Sequence, residues 1–297
     1  MSRRLSKSLT ILAILVSITV LSLPALFLFM FSSYPVGHLS FLEEAPTLDE
    51  LSVPQQVVED AEKLVQELAA NYVVQREELI AELLAAYSVA RDKDFLILCN
   101  PGGFGRKEKL DDEWGSVISG IKSILEEMGY SVALVQYVRT PEGAWHYLKE
   151  FREMISNYPK KAKMLKAEVE FFTKHIDGLK VVLAGNSDGG VYTNEVTQLL
   201  ANNSRVYSII CGLPFYYRSS VPERALVIND NGVIPDVLAS GNVASLIWAN
   251  VTHLPTHRAP EGHVLLYFRA PGHIYTWDHA RVRTEITSFL KTNFGRD

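Results

Sequence analysis

The chain has 297 residues, 47% of them hydrophobic, enough for the packed core of one large α/β domain or two small ones, which excludes a disordered chain. Its net charge of -5 and pI of about 5.9, with no basic cluster interleaved with aromatics, argue against neutralisation of a phosphate backbone, so nucleic acid is discounted as a partner. Cys99 and Cys211 both fall inside apolar runs and are expected as small core side chains, neither a disulfide nor a reactive thiol.

The chain opens with Arg3, Arg4 and Lys7, a short segment 1–8, and then runs from Leu9 to Phe31 without a charge. At about 1.5 Å per residue, about 23 residues span a hydrocarbon core of about 30 Å, which predicts a transmembrane helix over 9–31. Glu43, Glu44, Asp49 and Glu50 follow it, so the positive-inside rule puts the N-terminus in the cytoplasm and the remainder on the non-cytoplasmic side. Secretion after signal cleavage is the alternative, but the apolar run exceeds an ordinary signal core and no small-x-small site follows it. Residues 32–53, with two prolines and an acidic bias, read as a linker. Over 54–93, Val57, Ala61, Leu64, Leu68, Tyr72, Leu79, Leu83 and Tyr87 recur at three- and four-residue steps, predicting one long amphipathic helix packed on the body or used as a stalk or dimer contact.

After Asp94 strands and helices alternate. Strands are expected over Phe95–Cys99, Tyr130–Tyr137, Leu179–Ala184, Val206–Cys211, Ala225–Ile228 and Val264–Phe268. Helices are expected over Trp114–Met128, closed by Gly129, and over Glu142–Asn157, Lys160–Ile176, Val191–Ala201 and Val282–Asn293. This predicts a mostly parallel sheet with helices on both faces across 94–297, with ligands gathering at the strands' carboxyl ends.

Three stretches carry chemistry. In Gly185-Asn186-Ser187-Asp188-Gly189, glycines two residues either side of a serine end an apolar strand and open a helix. A sharp turn there needs small residues and lifts the hydroxyl clear, but a serine becomes a nucleophile only with a base, an orienting group and oxyanion donors. Asn100-Pro101-Gly102-Gly103-Phe104-Gly105 follows the first strand, and Ala270-Pro271-Gly272-His273 follows the last. Together these resemble the α/β-hydrolase superfamily: a nucleophile elbow, an oxyanion loop with asparagine in place of the usual histidine, and a histidine loop in the order serine, acid, histidine.

The resemblance implies Ser187 as nucleophile, His273 as base, and oxyanion donors from the backbone of Asp188 and of Gly103 or Phe104. His279 competes with His273 but lies within or beside the closing helix and not in the glycine-led loop. For the acid it implies Asp230, directly off the strand and followed by an Asn-Gly turn, then Val-Ile-Pro; Asp236 is the rival, expected as a helix cap. The expected reaction is hydrolysis of a carboxylic ester or thioester, with no cofactor. Phe215, Tyr216 and Trp277 are candidates to line an acyl pocket, and Gly212–Arg224 is too short for a large lid. A small-molecule or lipid-like acyl ester is the expected substrate.

A catalytically inactive binding module at the membrane, or a peptidase or acyltransferase using the same triad, are the alternatives. No metal is expected: His253 and His257 have ligand-like spacing, but Pro255 breaks the helix it requires. Sequons at Asn202 and Asn250 are compatible with surface loops, and nothing in the sequence fixes the oligomeric state. In the family's strand order the elbow strand separates the strands of Cys99 and Cys211 by about 10 Å, beyond disulfide reach.

Overall fold

The structure, a computed structural model, describes residues 37–41, 53–68, 76–105, 110, 112–140, 144–252 and 270–295. All of these fall in one compact unit, 36–297. The predicted membrane span 9–31, the predicted strand Val264–Phe268, and His253 and His257 lie outside the described residues. Among the described residues no helix is long and apolar enough to cross a membrane.

Among the described residues six strands form one sheet: β1 (His38–Phe41), β2 (Phe95–Asn100), β3 (Val132–Val138), β4 (Lys180–Asn186), β5 (Val206–Cys211) and β6 (Ala225–Ile228), in the order β1-β3-β2-β4-β5-β6. Only β1 runs antiparallel, pairing His38 with Val138 and Phe41 with Val135; the others are parallel. Strand side chains alternate between faces, and the sheet therefore divides its apolar residues between two cores. In β2, Phe95, Ile97 and Cys99 join one core and Leu96 and Leu98 the other; in β4, Val182 and Ala184 oppose Val181 and Leu183.

The first core packs under α3 (Asp112–Glu127) and α8 (Ala280–Phe294). The second packs under α1 (Gln55–Leu68), α2 (Arg76–Ala90), α5 (Pro159–His175) and α6 (Asp188–Leu199). Two further helices, α4 (Ala144–Ile155) and α7 (Val243–Val251), complete the described set. Cys99 and Cys211 are buried thiols on β2 and β5, with β4 between them.

Two expectations need correction. The segment predicted as one helix over 54–93 contains two, α1 and α2, with 69–75 outside the described residues. Both pack on the body: Val57, Ala61 and Val65 share a core with Tyr87 and Phe171, and Asp60 pairs with Lys174 and His175 of α5. The second concerns the stretch read as linker, where His38–Phe41 adds the antiparallel edge strand. Four residues show too little alternation to be seen in sequence; pairing with β3 and docking by α2 make the strand.

That docking buries a carboxylate. Glu82 of α2 accepts the Leu39 N–H at 3.0 Å, and burial, opposed by this bond and aided by the charge of Glu78, raises its pKa from 4.5 to about 7. The unfolded chain then releases this proton first, so stability falls as pH rises from about 4.5 to about 7 and the penalty is full above that. Glu82→Gln keeps a carbonyl for Leu39 and loses the charge. Urea denaturation should show it matching the parent at pH 4 and exceeding it at pH 8 by about 2–3 kcal/mol.

Candidate active site

The end of β4 turns sharply. Ser187 sits at φ 53° and ψ -125°, a left-handed position that costs a non-glycine residue roughly 1–3 kcal/mol. The turn closes only because its neighbours lack side chains. A Cβ on Gly185 would lie 2.3 Å from Thr193 Oγ1, one on Gly189 would lie 2.2 Å from the Asn100 carbonyl oxygen, and one on Gly190 would lie 2.7 Å from Ile210 Cγ2. Helix α6 starts at Asp188, three residues before the predicted start, so the Asp188 N–H belongs to its first turn, where N–H groups have no partner within the helix.

Ser187 is 5% exposed and its Oγ makes no hydrogen bond among the described residues. Its N–H donates to the Cys211 carbonyl, at the end of β5, at 2.9 Å. The next residue, Gly212, has φ 66°, and a Cβ there would lie 2.8 Å from His273 Cε1. The imidazole and the serine thus flank the same two residues at the carboxyl edge of the sheet. Asp188 also lies near enough for the His273 charge to act on its carboxyl.

His273 Nδ1 lies 2.8 Å from Asp236 Oδ2, with both side chains buried. The same oxygen accepts the Tyr275 hydroxyl at 2.7 Å, while Asp236 Oδ1 accepts the N–H groups of Leu238 and Ala239. Burial alone would push the Asp236 carboxyl up, but the bond and charge of His273, then Ala239 and Tyr275, hold it below the usual carboxylate range. Burial, then the Asp236 charge, drive the Tyr275 phenol far up, so it remains a donor.

Asp230 is not brought to His273. It lies on the surface, with Oδ2 2.7 Å from Arg281 Nη1 and Oδ1 accepting the Gly232 N–H in a local turn. The residue after it explains the displacement. Asn231 is buried, accepts from Val233 and Ile234, and donates to the carbonyls of Gly272 and Ile274, fastening the acid loop to the histidine loop. With Asn231 facing inward, Asp230 faces out, and Asp236 is the next acid to reach the core.

The loop after β2 packs against the elbow. Asn100 Nδ2 donates to Thr193 Oγ1 at 2.9 Å, and a Cβ on Gly102 would lie 3.1 Å from Asn186 Oδ1. Gly105 N–H closes a turn onto the Gly102 carbonyl at 3.1 Å, with Gly103 at φ 57° and Gly105 at φ 62°. Gly103, Phe104 and Asp188 therefore lie on elements in direct contact.

Of the aromatic candidates, two border the site and one does not. Tyr216 donates to Asp188 Oδ1 at 2.6 Å, and Phe215 packs edge-on against it. Burial raises the Asp188 carboxyl, against the Tyr216 bond and the charges of Arg139 and His273. Trp277 instead lies under α3: its backbone N–H donates to Ser116 Oγ, and its ring fills the place where a Cβ on Gly120 would be, 2.1 Å from Cδ2. His279 stands at the N-terminal cap of α8. Among the described residues, no three His, Cys, Asp or Glu side chains are grouped to hold a metal ion.

No protein-family model matches the sequence, and no curated protein matches it. Among solved structures, the fold is similar to a Trichoderma reesei cutinase in complex with a phosphonate inhibitor. The TM-score is 0.43 at 13% sequence identity, covering 80% of this chain and 93% of that one. The architecture itself is an α/β fold with a mostly parallel six-stranded sheet.

Proposed function

We propose that the protein is a serine hydrolase that cleaves a carboxylic ester or thioester. The observation that carries this reading is the left-handed Ser187 at the end of β4, with the buried His273–Asp236 pair set against the adjoining Gly212. Ser187 Oγ attacks the carbonyl carbon as His273 Nε2 takes its proton. Asp236 holds the imidazole with its proton on Nδ1 and stabilises the charge it acquires. The oxyanion is met by the N–H of Asp188 and by N–H groups of the Gly103–Phe104 loop. His273 then returns the proton to the leaving alcohol or thiol, and water repeats the sequence on the acyl-enzyme. That Ser187 Oγ has no hydrogen-bond partner among the described residues is compatible with this, because catalytic hydrogen bonds often form only when substrate binds.

Phe215 and Tyr216 supply an apolar border for an acyl chain, and their half-exposed rings favour an ester over an extended peptide. The apolar run 9–31 and the charges flanking it support a location of the domain at the non-cytoplasmic membrane face, near lipid-like substrates.

A fluorophosphonate probe tests the reading directly. The full-length chain in detergent should take up one label, mapped to Ser187 by peptide mass spectrometry, and should hydrolyse chromogenic esters of short to medium acyl length. An unlabelled Ser187 would make the protein a binding module. Product that appears only with an added alcohol or amine acceptor would make it a transferase.

A further inference from the structure

We propose that Arg139 is the positioning residue of the oxyanion loop; the inference rests on the hydrolase reading above. Arg139 follows β3 directly and is wholly buried. Three of its groups reach one short loop. Nη1 donates to the Pro101 carbonyl at 2.8 Å, Nη2 to the Gly103 carbonyl at 2.7 Å, and the backbone N–H to the Gly105 carbonyl at 2.8 Å. Gly105 is shaped for the guanidinium: its φ is 62°, and a Cβ there would lie 2.6 Å from Arg139 Cζ.

Peptide planarity turns this grip into control of the donors. No cis peptide bond occurs among the described residues, so each carbonyl and the following N–H point in opposite directions across a rigid plane. Fixing the Gly103 carbonyl on Nη2 fixes the direction of the Phe104 N–H, and fixing the Pro101 carbonyl on Nη1 fixes that of the Gly102 N–H. A loop carrying glycines at 102, 103 and 105 would otherwise rotate these planes at little cost.

The guanidinium is itself held on every side. Nε meets Glu150 Oε1 at 3.2 Å, Glu150 Oε2 pairs with Lys161 Nζ, and Lys161 Nζ also donates to the Arg139 carbonyl. The rings of Tyr158 and Tyr192 each stand 5.4 Å from Arg139 Cζ. Tyr158 adopts a left-handed φ of 55° between α4 and α5, strain of the kind that persists where the surroundings over-determine it. Arg139, Glu150 and Lys161 form a buried cluster of three charges, an arrangement that apolar residues of similar volume often match or exceed in stability. Stability alone is therefore a poor reason for it. A planar fork that bonds two carbonyls and cannot lose its charge is what the loop needs, and lysine offers neither the fork nor the plane.

The test compares Arg139→Met and Arg139→Lys with the parent full-length chain, reading kcat per titrated Ser187, KM and Tm. Normalising to titrated sites removes any effect of misfolded protein. Loss of loop placement acts on the oxyanion and not on substrate binding, so Arg139→Met should lose about 30- to 100-fold in kcat with KM within about threefold. Arg139→Lys should fall between, since its ammonium reaches one carbonyl at a time. If both variants keep kcat within about threefold while Tm drops, Arg139 is purely structural and the inference is overturned; if Arg139→Met does not fold, Arg139→Lys decides by the same criterion. A parent chain that takes no label at Ser187 overturns the hydrolase reading and this inference together, whereas a labelled, active parent with unaffected variants overturns this inference alone.

Discussion

Asp236→Asn should lower kcat/KM by about 10⁴-fold, while Asp230→Asn changes it by less than about twofold. Asparagine can keep the Oδ1 carbonyl that caps Leu238 and Ala239, so the loop survives. Its amide, however, puts a donor where Oδ2 now receives His273 Nδ1. The imidazole then carries its proton on Nε2, the nitrogen that must accept the proton of Ser187. Asp230 has no such role: its pairing with Arg281 involves two half-exposed side chains, an arrangement worth at most about 1 kcal/mol.

The acid side of the stability profile should report on Asp236 as well. A carboxyl held below its ordinary range stabilises the fold fully above that range, and the contribution is lost as pH falls through the depressed folded value. Asp236→Asn removes that dependence. The stability gap between parent and Asp236→Asn, read by urea denaturation, should therefore be largest near neutral pH and close towards the acid end.

The strands were legible because β2 to β5 are buried on both faces and read as unbroken apolar runs, and because parallel strands need helices between them. The edge strand β1 was not: it is a four-residue partner whose identity comes from β3 and α2. The elbow was legible from its glycines, since the clashes at Gly185, Gly189 and Gly190 leave no room for any other residue. Asp230, expected as the acid, is not the carboxylate that reaches His273, for a definable reason. The Val-Ile-Pro after Asp230 reads as an apolar pair following an acid, yet Val233 and Ile234 are 67% and 52% exposed, and Asn231 is the buried residue of that turn. Asp236 does not cap a helix, since Asn242 caps α7; its Oδ1 accepts the N–H groups of Leu238 and Ala239 in a turn, leaving Oδ2 for the histidine.

Tyr275 and Arg139 carried weaker signals. Tyr275 lies two residues past His273 in the same loop. Arg139 is a charged residue directly off the carboxyl end of a buried strand, the edge where such a sheet gathers its ligands. Trp277 shows the opposite error. An aromatic near the histidine looked like pocket lining, but the absence of a side chain at Gly120 gives it a seat beneath α3.

Ser187→Ala should lower kcat by about 10⁵- to 10⁶-fold and, in the same preparation, raise the thermal midpoint. The activity loss follows from removing the nucleophile. The stability gain follows from the hydroxyl's position: Ser187 Oγ is buried without a hydrogen-bond partner among the described residues, and relieving such a group is worth about 1 kcal/mol or more. The left-handed backbone remains in the variant, so the gain isolates the hydroxyl from the turn. A residue kept for packing would behave the other way, losing stability when truncated and leaving turnover intact. Scanning calorimetry and an ester assay on one sample therefore test the assignment from both directions. A rise in midpoint with loss of turnover means that the chain keeps a destabilising hydroxyl at the end of β4 for its chemistry.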